Sequence, residues 1–266
     1  MNTTNAPQAE PQYSLAKILG IWAAAAIPMG ILGWVIGPAL EPYTELSPGF
    51  VRIIALTVGL IWLFVLSMII VHHEEGNLRW STIRTRLWLN KPKKSRTGVP
   101  RARLWLWLIP LAILDIAWEL AVSPVIIDLW NSFIPFLTEP AKYNLGGLLA
   151  SPGSKASFVG AWWVLGLFFI FGVFNTVLGE EFLFRGVLLP KMNGVFGKWD
   201  WVMNGLLFGL YHVHQPWGMI PAIITGIFLY AYPSKRYRST WMGIIIHSLE
   251  GLYFLFLVLG LVLGLA

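Results

Sequence analysis

The sequence contains no cysteine and few charged residues. Of its 266 residues, 12% are charged and 56% are hydrophobic, whereas soluble domains carry about 25% charged residues. The absence of cysteine excludes disulfides, thiolate zinc sites and a cysteine nucleophile, so any catalysis must use other groups. The shortage of charge excludes an ordinary soluble domain. Long apolar runs separated by short polar segments indicate a polytopic membrane protein instead.

The apolar runs predict an all-α membrane protein with a bundle of about seven, or else eight, transmembrane helices. A polar N-terminal tail is expected over residues 1–14, followed by one transmembrane domain over residues 15–266. The tail lacks a basic start and no small-residue cleavage site follows, so we expect the first span to be retained. The predicted spans lie at about 18–36, 51–71, 104–122, 158–189, 200–215, 219–231 and 241–266.

The densest charge run is a basic segment over residues 76–103. It carries nine of the nineteen lysines and arginines and no acid, so the positive-inside rule predicts a cytoplasmic loop. Trp80, Ile83 and Leu87 share one face of a short helix here, which we expect to lie in the headgroup layer and bind anionic lipid. The arginines around the rest of this helix are Arg79, Arg84 and Arg86. The juxtamembrane position argues against nucleic acid as a partner.

The same rule places the N-terminus in the cytoplasm and the C-terminus outside, in a multi-pass protein of the plasma (cell) membrane. Asp115 and Glu119 lie at i,i+4 in the third span and should face the bundle interior. They would serve either as partners in a polar network or in the reaction site. Residues 123–157 are rich in proline, glycine and serine, which predicts an external loop. The His72–Glu75 cluster is interpreted as a solvated helix end rather than a metal site.

Two adjacent glutamates and an arginine end a long apolar run in the motif GEEFLFRG. In an α-helix, Glu181 and Arg185 are i,i+4 neighbours with the acid first, the favourable order for an ion pair. Glu180 lies roughly 100° around the helix, so it would be left free for chemistry. A charged cluster snorkelling at a helix end is the alternative interpretation.

Two histidines, His212 and His247, lie at a depth similar to that of Glu180. Each of the three is nine to twelve residues from a predicted cytoplasmic helix end, or roughly 14–18 Å, so they can share one site. His214 would join them only if the helix breaks before Pro216. A carboxylate and two imidazoles suit hydrolysis by activated water. The same three groups could also hold a divalent metal ion such as zinc, and the sequence leaves both options open.

The segments GEEFLFRG, FGLYH and HSLEG resemble, in this order, the EExxxR, FxxxH and HxxxN/D motifs of the CPBP family of CAAX proteases and bacteriocin-processing enzymes, also called the Abi family. The resemblance covers a core at about 160–262. It implies an intramembrane endopeptidase in which Glu180 activates water, His212 assists it and His247 stabilises the oxyanion. The supporting residues of the motifs would be Glu181, Arg185 and Phe208.

The sequence departs from the family pattern at Gly251, where the family carries Asn or Asp. The auxiliary residues considered for the site are His214, Ser248, Glu250 and Asn204. The leading hypothesis is cleavage of a membrane-bound or lipidated protein or peptide, with membrane lipid as surroundings. A CAAX-type prenyl protein protease is the narrower version. The alternatives are a catalytically inactive immunity or partner-binding membrane protein, and a transporter with a proton relay.

Overall fold

The structure, a computed structural model, describes residues 11–94, 98–150 and 157–265. These residues form helices and connecting turns, with no strand among them, which confirms the all-α fold. Five helices in this part of the chain are long and apolar enough to cross a membrane. They are α1 (Leu15–Tyr43), α2 (Pro48–Glu75), α4 (Ala102–Phe133), α6 (Trp162–Lys191) and α9 (Trp241–Val262).

Shorter helices pack between these five. They are α3 (Trp80–Arg86), α5 (Leu145–Ala150), α7 (Asp200–Tyr211) and α8 (219–237). Helices α7 and α8 lie close together because glycines remove side chains at their contact. A Cβ at Gly205 or Gly209 would collide with the backbone of Ile227 or Ile223 of α8. Length and composition support five crossings among the described residues, so the count of seven or eight stays a prediction.

Helix α4 is longer than the sequence suggested, and the loop predicted to start at Ser123 was placed too early. The helix continues to Phe133 through a wide turn at Trp118–Val122, where the N–H of Ser123 donates to the carbonyl of Trp118. Pro124, which lacks an N–H, falls at the start of the next regular turn, where a missing donor costs nothing. Most of the rest of the predicted loop is described, but residues 151–156 are not.

Helix α6 is the centre of the bundle. Every residue from Gly179 to Met192 is buried. The helix ends at Lys191, close to the predicted end, but its hydrogen bonding is not regular. Two π-helical stretches, Val173–Gly179 and Phe182–Leu188, flank the paired glutamates. Such wide turns are rare and often occur at functional sites.

The basic segment contains the predicted short helix, but one of its arginines is buried inside the protein. Arg86 donates to Glu74 (2.9 Å), to the hydroxyl of Tyr13 (2.6 Å) and to the carbonyls of Gly186 and Val187 (both 3.2 Å). The prediction that Arg86 contacts lipid is therefore wrong, because these partners bring it to 7% exposure. Arg79 and Arg84 are exposed, as expected for lipid contact.

The residues after α3 also pack inside. Leu87 is fully buried against Gly186, so it belongs to the core and not to a lipid-facing surface. The turn before α9 holds this stretch, because Thr240 donates its hydroxyl to the carbonyl of Leu87 (2.6 Å). At the other end of the chain, the N–H of Tyr13 donates to the carbonyl of Lys191 (2.9 Å), so the described end of the predicted tail docks on α6. The rest of that tail, residues 1–10, and residues 95–97 of the basic segment lie outside the described residues.

Candidate active site

One cavity of about 660 Å³ lies beside the middle of α6. Glu180, His212 and His247 all line it, from α6, the turn after α7 and α9 respectively. Each is nearly buried, with exposures of 2%, 7% and 4%. The structure thus places these three sequence-predicted residues on the wall of a single cavity. Phe208, the first residue of the second motif, lines it as well.

The second glutamate of the pair is engaged through one carboxylate oxygen. Glu181 Oε1 lies 3.1 Å from Arg185 Nη1, in the i,i+4 ion pair expected from the spacing, and both side chains are completely buried. The same oxygen lies 3.1 Å from Nδ1 of His247. Arg185 also packs over the ring of Phe208, 4.1 Å from its centroid. Glu181 is therefore held by two partners, whereas Glu180 has no arginine in ion-pair contact among the described residues.

His247 connects the two glutamates. A carboxylate only accepts hydrogen bonds, so Nδ1 of His247 carries a hydrogen and donates a hydrogen bond to Glu181. This fixes the ring with Nε2 on the side of Glu180, at 3.9 Å from its Oε2. The ring also stacks on Tyr230, with centroids 4.5 Å apart and an interplanar angle of 18°. Charge pairing and stacking together orient the imidazole before any substrate binds.

His212 is oriented by its own helix. Helix α7 changes to a 3₁₀ turn at His212–His214, and Nδ1 of His212 lies 2.9 Å from the carbonyl of Phe208. Because that carbonyl only accepts, Nδ1 carries the proton and Nε2 remains an acceptor on a ring that lines the cavity. The break in the helix also meets the condition set for His214, whose ring lines the cavity and stacks on that of His212 at 5.4 Å.

A buried arginine holds this turn in place. Arg52 of α2 donates to the carbonyls of Gly33 (2.8 Å) and His214. Its guanidinium also lies over the rings of Trp34 and Tyr143, at 4.7 and 4.5 Å. These contacts join α1, α2 and the chain after α7 at the point where the two histidines leave the helix.

The auxiliary residues separate into two groups. Glu250 lines the cavity, and so does Glu119 of α4, whereas Asp115 is buried on the same helix one turn earlier. The structure does not bring Asn204 to the site, because it is fully buried and donates its amide N–H to the carbonyl of Phe184 (2.7 Å). Ser248 pairs with the hydroxyl of Thr176 at 3.2 Å.

Sequence reasoning missed several residues on the cavity wall. Asn175 lies on α6, and Thr138, Glu139 and Asn144 follow α4. A polar residue inside the apolar run before GEEFLFRG was the available signal for Asn175, but no sequence signal marked the other three. Burial raises the pKa of Glu139 above its ordinary value.

The lining of the cavity also extends past α4. It reaches Thr138 and Leu145, which follow the end of α4 that is far from the basic segment.

The cavity wall is rich in acidic side chains. Among the described residues, the Lys, Arg, Asp and Glu side chains that line it are all glutamates, with no lysine or arginine. They are Glu119, Glu139, Glu180 and Glu250. The other lining residues are largely apolar or aromatic, as is usual in a ligand cavity.

In the described part of the chain, no group of three His, Cys, Asp or Glu side chains is arranged to hold a metal ion. The Nδ1 atoms of His212 and His247 are engaged by a carbonyl and a carboxylate, a pattern that leaves Nε2 of each ring available to a ligand. A metal ion stays a prediction, and no chemical step below depends on one.

This geometry defines a class of protein: a polytopic helical membrane protein with a glutamate and two histidines around one internal cavity. A comparison with protein families supplies the narrower assignment: residues 161–253 match the model of the family described as type II CAAX prenyl endopeptidase Rce1-like. The match contains all three motifs and confirms the resemblance to the CPBP family. It supports a CAAX-type intramembrane protease kind of function. No curated protein and no solved structure matched the chain.

Proposed function

We propose that the protein is an intramembrane endopeptidase in which Glu180 activates the water that cleaves a peptide bond. The observation that carries the proposal is the unequal use of the two glutamates. Glu181 is engaged by Arg185 and His247, whereas Glu180 lines the cavity beside Nε2 of His247. A base needs a free carboxylate within reach of water and substrate, and Glu180 meets that need.

In the proposed first step, the water donates one hydrogen to Glu180 and the other to Nε2 of His212. Glu180 takes its proton as the water oxygen attacks the carbonyl carbon. The oxyanion that forms accepts a hydrogen bond from protonated Nε2 of His247. The Nδ1–H of the same ring stays hydrogen-bonded to Glu181. Donors already aimed at the place where charge develops supply much of the rate enhancement in such reactions.

In the second step, protonated Glu180 gives its proton to the nitrogen of the leaving amide. The carbon–nitrogen bond breaks, which leaves a carboxyl group on one product and an amine on the other. Glu180 is then ionised again and ready for a new water. This shuttle uses one residue as base and then as acid, so no further proton donor is required.

The cavity favours a peptide without acidic residues next to the cleaved bond. The four wall glutamates outnumber the one cationic residue of the mechanism, His247, so an aspartate or glutamate of the substrate would meet mainly like charge in a poorly screened setting. The apolar remainder suits a membrane-bound or lipidated segment. The name of the matched family suggests prenylated CAAX proteins as the narrower substrate class.

A second function is favoured by one specific observation. Gly251 lines the cavity without a side chain at the position where the related motif carries Asn or Asp. Loss of that group suits a catalytically inactive protein that binds a peptide or a membrane partner in the same cavity. The two functions make opposite predictions for hydrolysis and the same prediction for binding.

The deciding experiment uses the purified full chain in lipid nanodiscs and a set of membrane-anchored fluorogenic peptides. We expect cleavage by the unaltered protein, cleavage slower by about 10² to 10⁴-fold by Glu180→Gln, and equal peptide binding by both. Addition of a chelator should leave the rate unchanged, and a chelator-sensitive rate would show that a metal takes part. Binding without cleavage by the unaltered protein would refute the protease and support the partner-binding function.

A further inference from the structure

Asn175 is a polar residue of α6 that lines the cavity and that the proposed reaction does not use. It lies in the π-helical stretch Val173–Gly179, is half-buried, and lines the same cavity as Glu180 and His247. Within the described residues, its carboxamide makes no hydrogen bond to another group of the protein. A carboxamide carries two N–H donors, so donors at the cavity wall are left for a bound molecule.

The π-helical turn explains how Asn175 and Glu180 reach one cavity. In a regular α-helix, residues five apart lie about 140° apart and face different surroundings. In a π-helix, the hydrogen bonds run from i to i+5, so five residues complete little more than one turn. The stretch between the two side chains has this geometry. It therefore turns the carboxamide toward the same side of α6 as the catalytic carboxylate.

The position of Asn175 is also close to the place where a side chain is missing on α9. A Cβ added at Gly251 would lie 3.6 Å from Cγ2 of Thr176 and 3.9 Å from Cα of Gly172. These two residues are the neighbours of Asn175, one directly after it and one almost a turn before it. Gly251 and Asn175 thus face the cavity from adjoining walls, and a side chain built at residue 251 would begin in ordinary van der Waals contact.

Other candidates for the missing donor are less suitable. Asn204 is buried away from the cavity on the carbonyl of Phe184. The hydroxyl of Ser248 is paired with that of Thr176 at 3.2 Å. Glu250 lines the cavity but, when ionised, has no hydrogen to donate.

We propose that Asn175 is a further catalytic residue, which donates an amide N–H to the oxyanion and so takes over the work of the side chain absent at Gly251. The inference rests on the proposed protease function and deepens it. The oxyanion would have two donors, Nε2–H of His247 from α9 and Nδ2–H of Asn175 from α6. Removal of one donor of this kind typically lowers kcat by about 10² to 10³.

The test moves the carboxamide from one wall to the other. Asn175→Ala should lower kcat by roughly 10² to 10³ with KM changed only a few-fold, because the bond is strongest in the transition state. Asn175→Asp, which keeps the shape but removes the donors, should lose kcat similarly. Adding Gly251→Asn to Asn175→Ala should raise kcat at least about tenfold above that of Asn175→Ala. The matched control is Asn175→Ala with Gly251→Ala, which adds a Cβ without a donor and should restore nothing.

Two outcomes would overturn the role of Asn175 without overturning the protease function. One is a kcat of Asn175→Ala within a few-fold of the unaltered protein while Glu180→Gln is inactive. The other is equal recovery by Gly251→Asn and Gly251→Ala, which would indicate a packing effect. Melting temperatures measured on the same samples identify variants that fail to fold. If Asn175→Ala is one of them, the kcat of Asn175→Asp decides whether the amide donors are needed. An unaltered protein that binds the peptides but cleaves none would refute the protease function itself, and the catalytic role of Asn175 with it.

Discussion

The buried ion pair between Glu181 and Arg185 allows the two adjacent glutamates to be separated by experiment. Glu181→Gln leaves the guanidinium of Arg185 without its carboxylate in a fully buried site. Breaking a buried pair in this way costs about 3–5 kcal/mol. At roughly 2–4 °C per kcal/mol for a chain of this size, the melting temperature should fall by about 6–20 °C. The variant also loses the acceptor that orients His247, so turnover should decrease as well.

The reverse and combined changes complete a double-mutant cycle. Arg185→Gln should destabilise the protein similarly, because it leaves Glu181 with only His247 as partner. The double variant strands no buried charge, so its loss should be smaller than the sum of the single losses by about 0.5–3 kcal/mol. Glu180→Gln is the matched control, since it alters the neighbouring glutamate, which has no such ion pair. Its melting temperature should stay within a few degrees while turnover falls about 10² to 10⁴-fold.

Thermal unfolding in detergent and turnover of a cleavable peptide measure the two effects on the same samples. The assignment of the base would be wrong if Glu180→Gln kept its turnover while Glu181→Gln abolished it with no decrease in melting temperature. Equal destabilisation by both single glutamate variants would contradict the unequal ion pairing of the two glutamates on which the prediction is based.

Three further predictions concern packing, lipid and substrate. Gly243→Ala should destabilise the protein by about 1–3 kcal/mol, since the new Cβ would lie 2.5 Å from Oε2 of Glu181, and an unchanged melting temperature would contradict this. Changing Arg79 and Arg84 to Gln should weaken binding to anionic vesicles without altering thermal stability, whereas Arg86→Gln should lower the melting temperature. Equal effects of all three substitutions would contradict the burial of Arg86. Peptides with lysine beside the cleaved bond should have higher kcat/KM than peptides with aspartate there, and the preference should weaken as pH falls and the wall glutamates lose charge; a preference for aspartate would refute the charge argument.

The sequence was sufficient to predict the helical membrane fold and three residues that meet at the cavity, Glu180, His212 and His247. Apolar runs give the helices, and helical spacing gives the pair of Glu181 and Arg185, because both depend on near neighbours in the chain. The π-helical turns of α6 could not be predicted, since the register of backbone hydrogen bonds depends on what packs against the helix. Asn175 was missed for that reason, because an α-helix would have turned it away from Glu180.

Burial of single charged residues was equally hard to predict. Arg86 is one of several arginines in a basic segment, and nothing local distinguishes it from Arg84. Its partners lie 12 residues earlier, in Glu74, and about 100 residues later, at the carbonyls of Gly186 and Val187. Contacts over such separations are set by the tertiary fold. The span end predicted at Val122 failed similarly, because a wide turn carries α4 past Pro124.

The wide turns of α6 make the number of residues in this helix as important as their identity. A turn closed from i to i+5 contains one residue more than a regular turn. If this stretch returned to α-helical hydrogen bonding with all its residues present, Asn175 and Glu180 would lie about 140° apart and face different surroundings. Deleting one residue between them while the α-helix forms would instead leave them four positions apart, about 40° around the axis and on the same side. The carboxamide and the carboxylate therefore stay together only if the number of residues and the hydrogen-bond register change together.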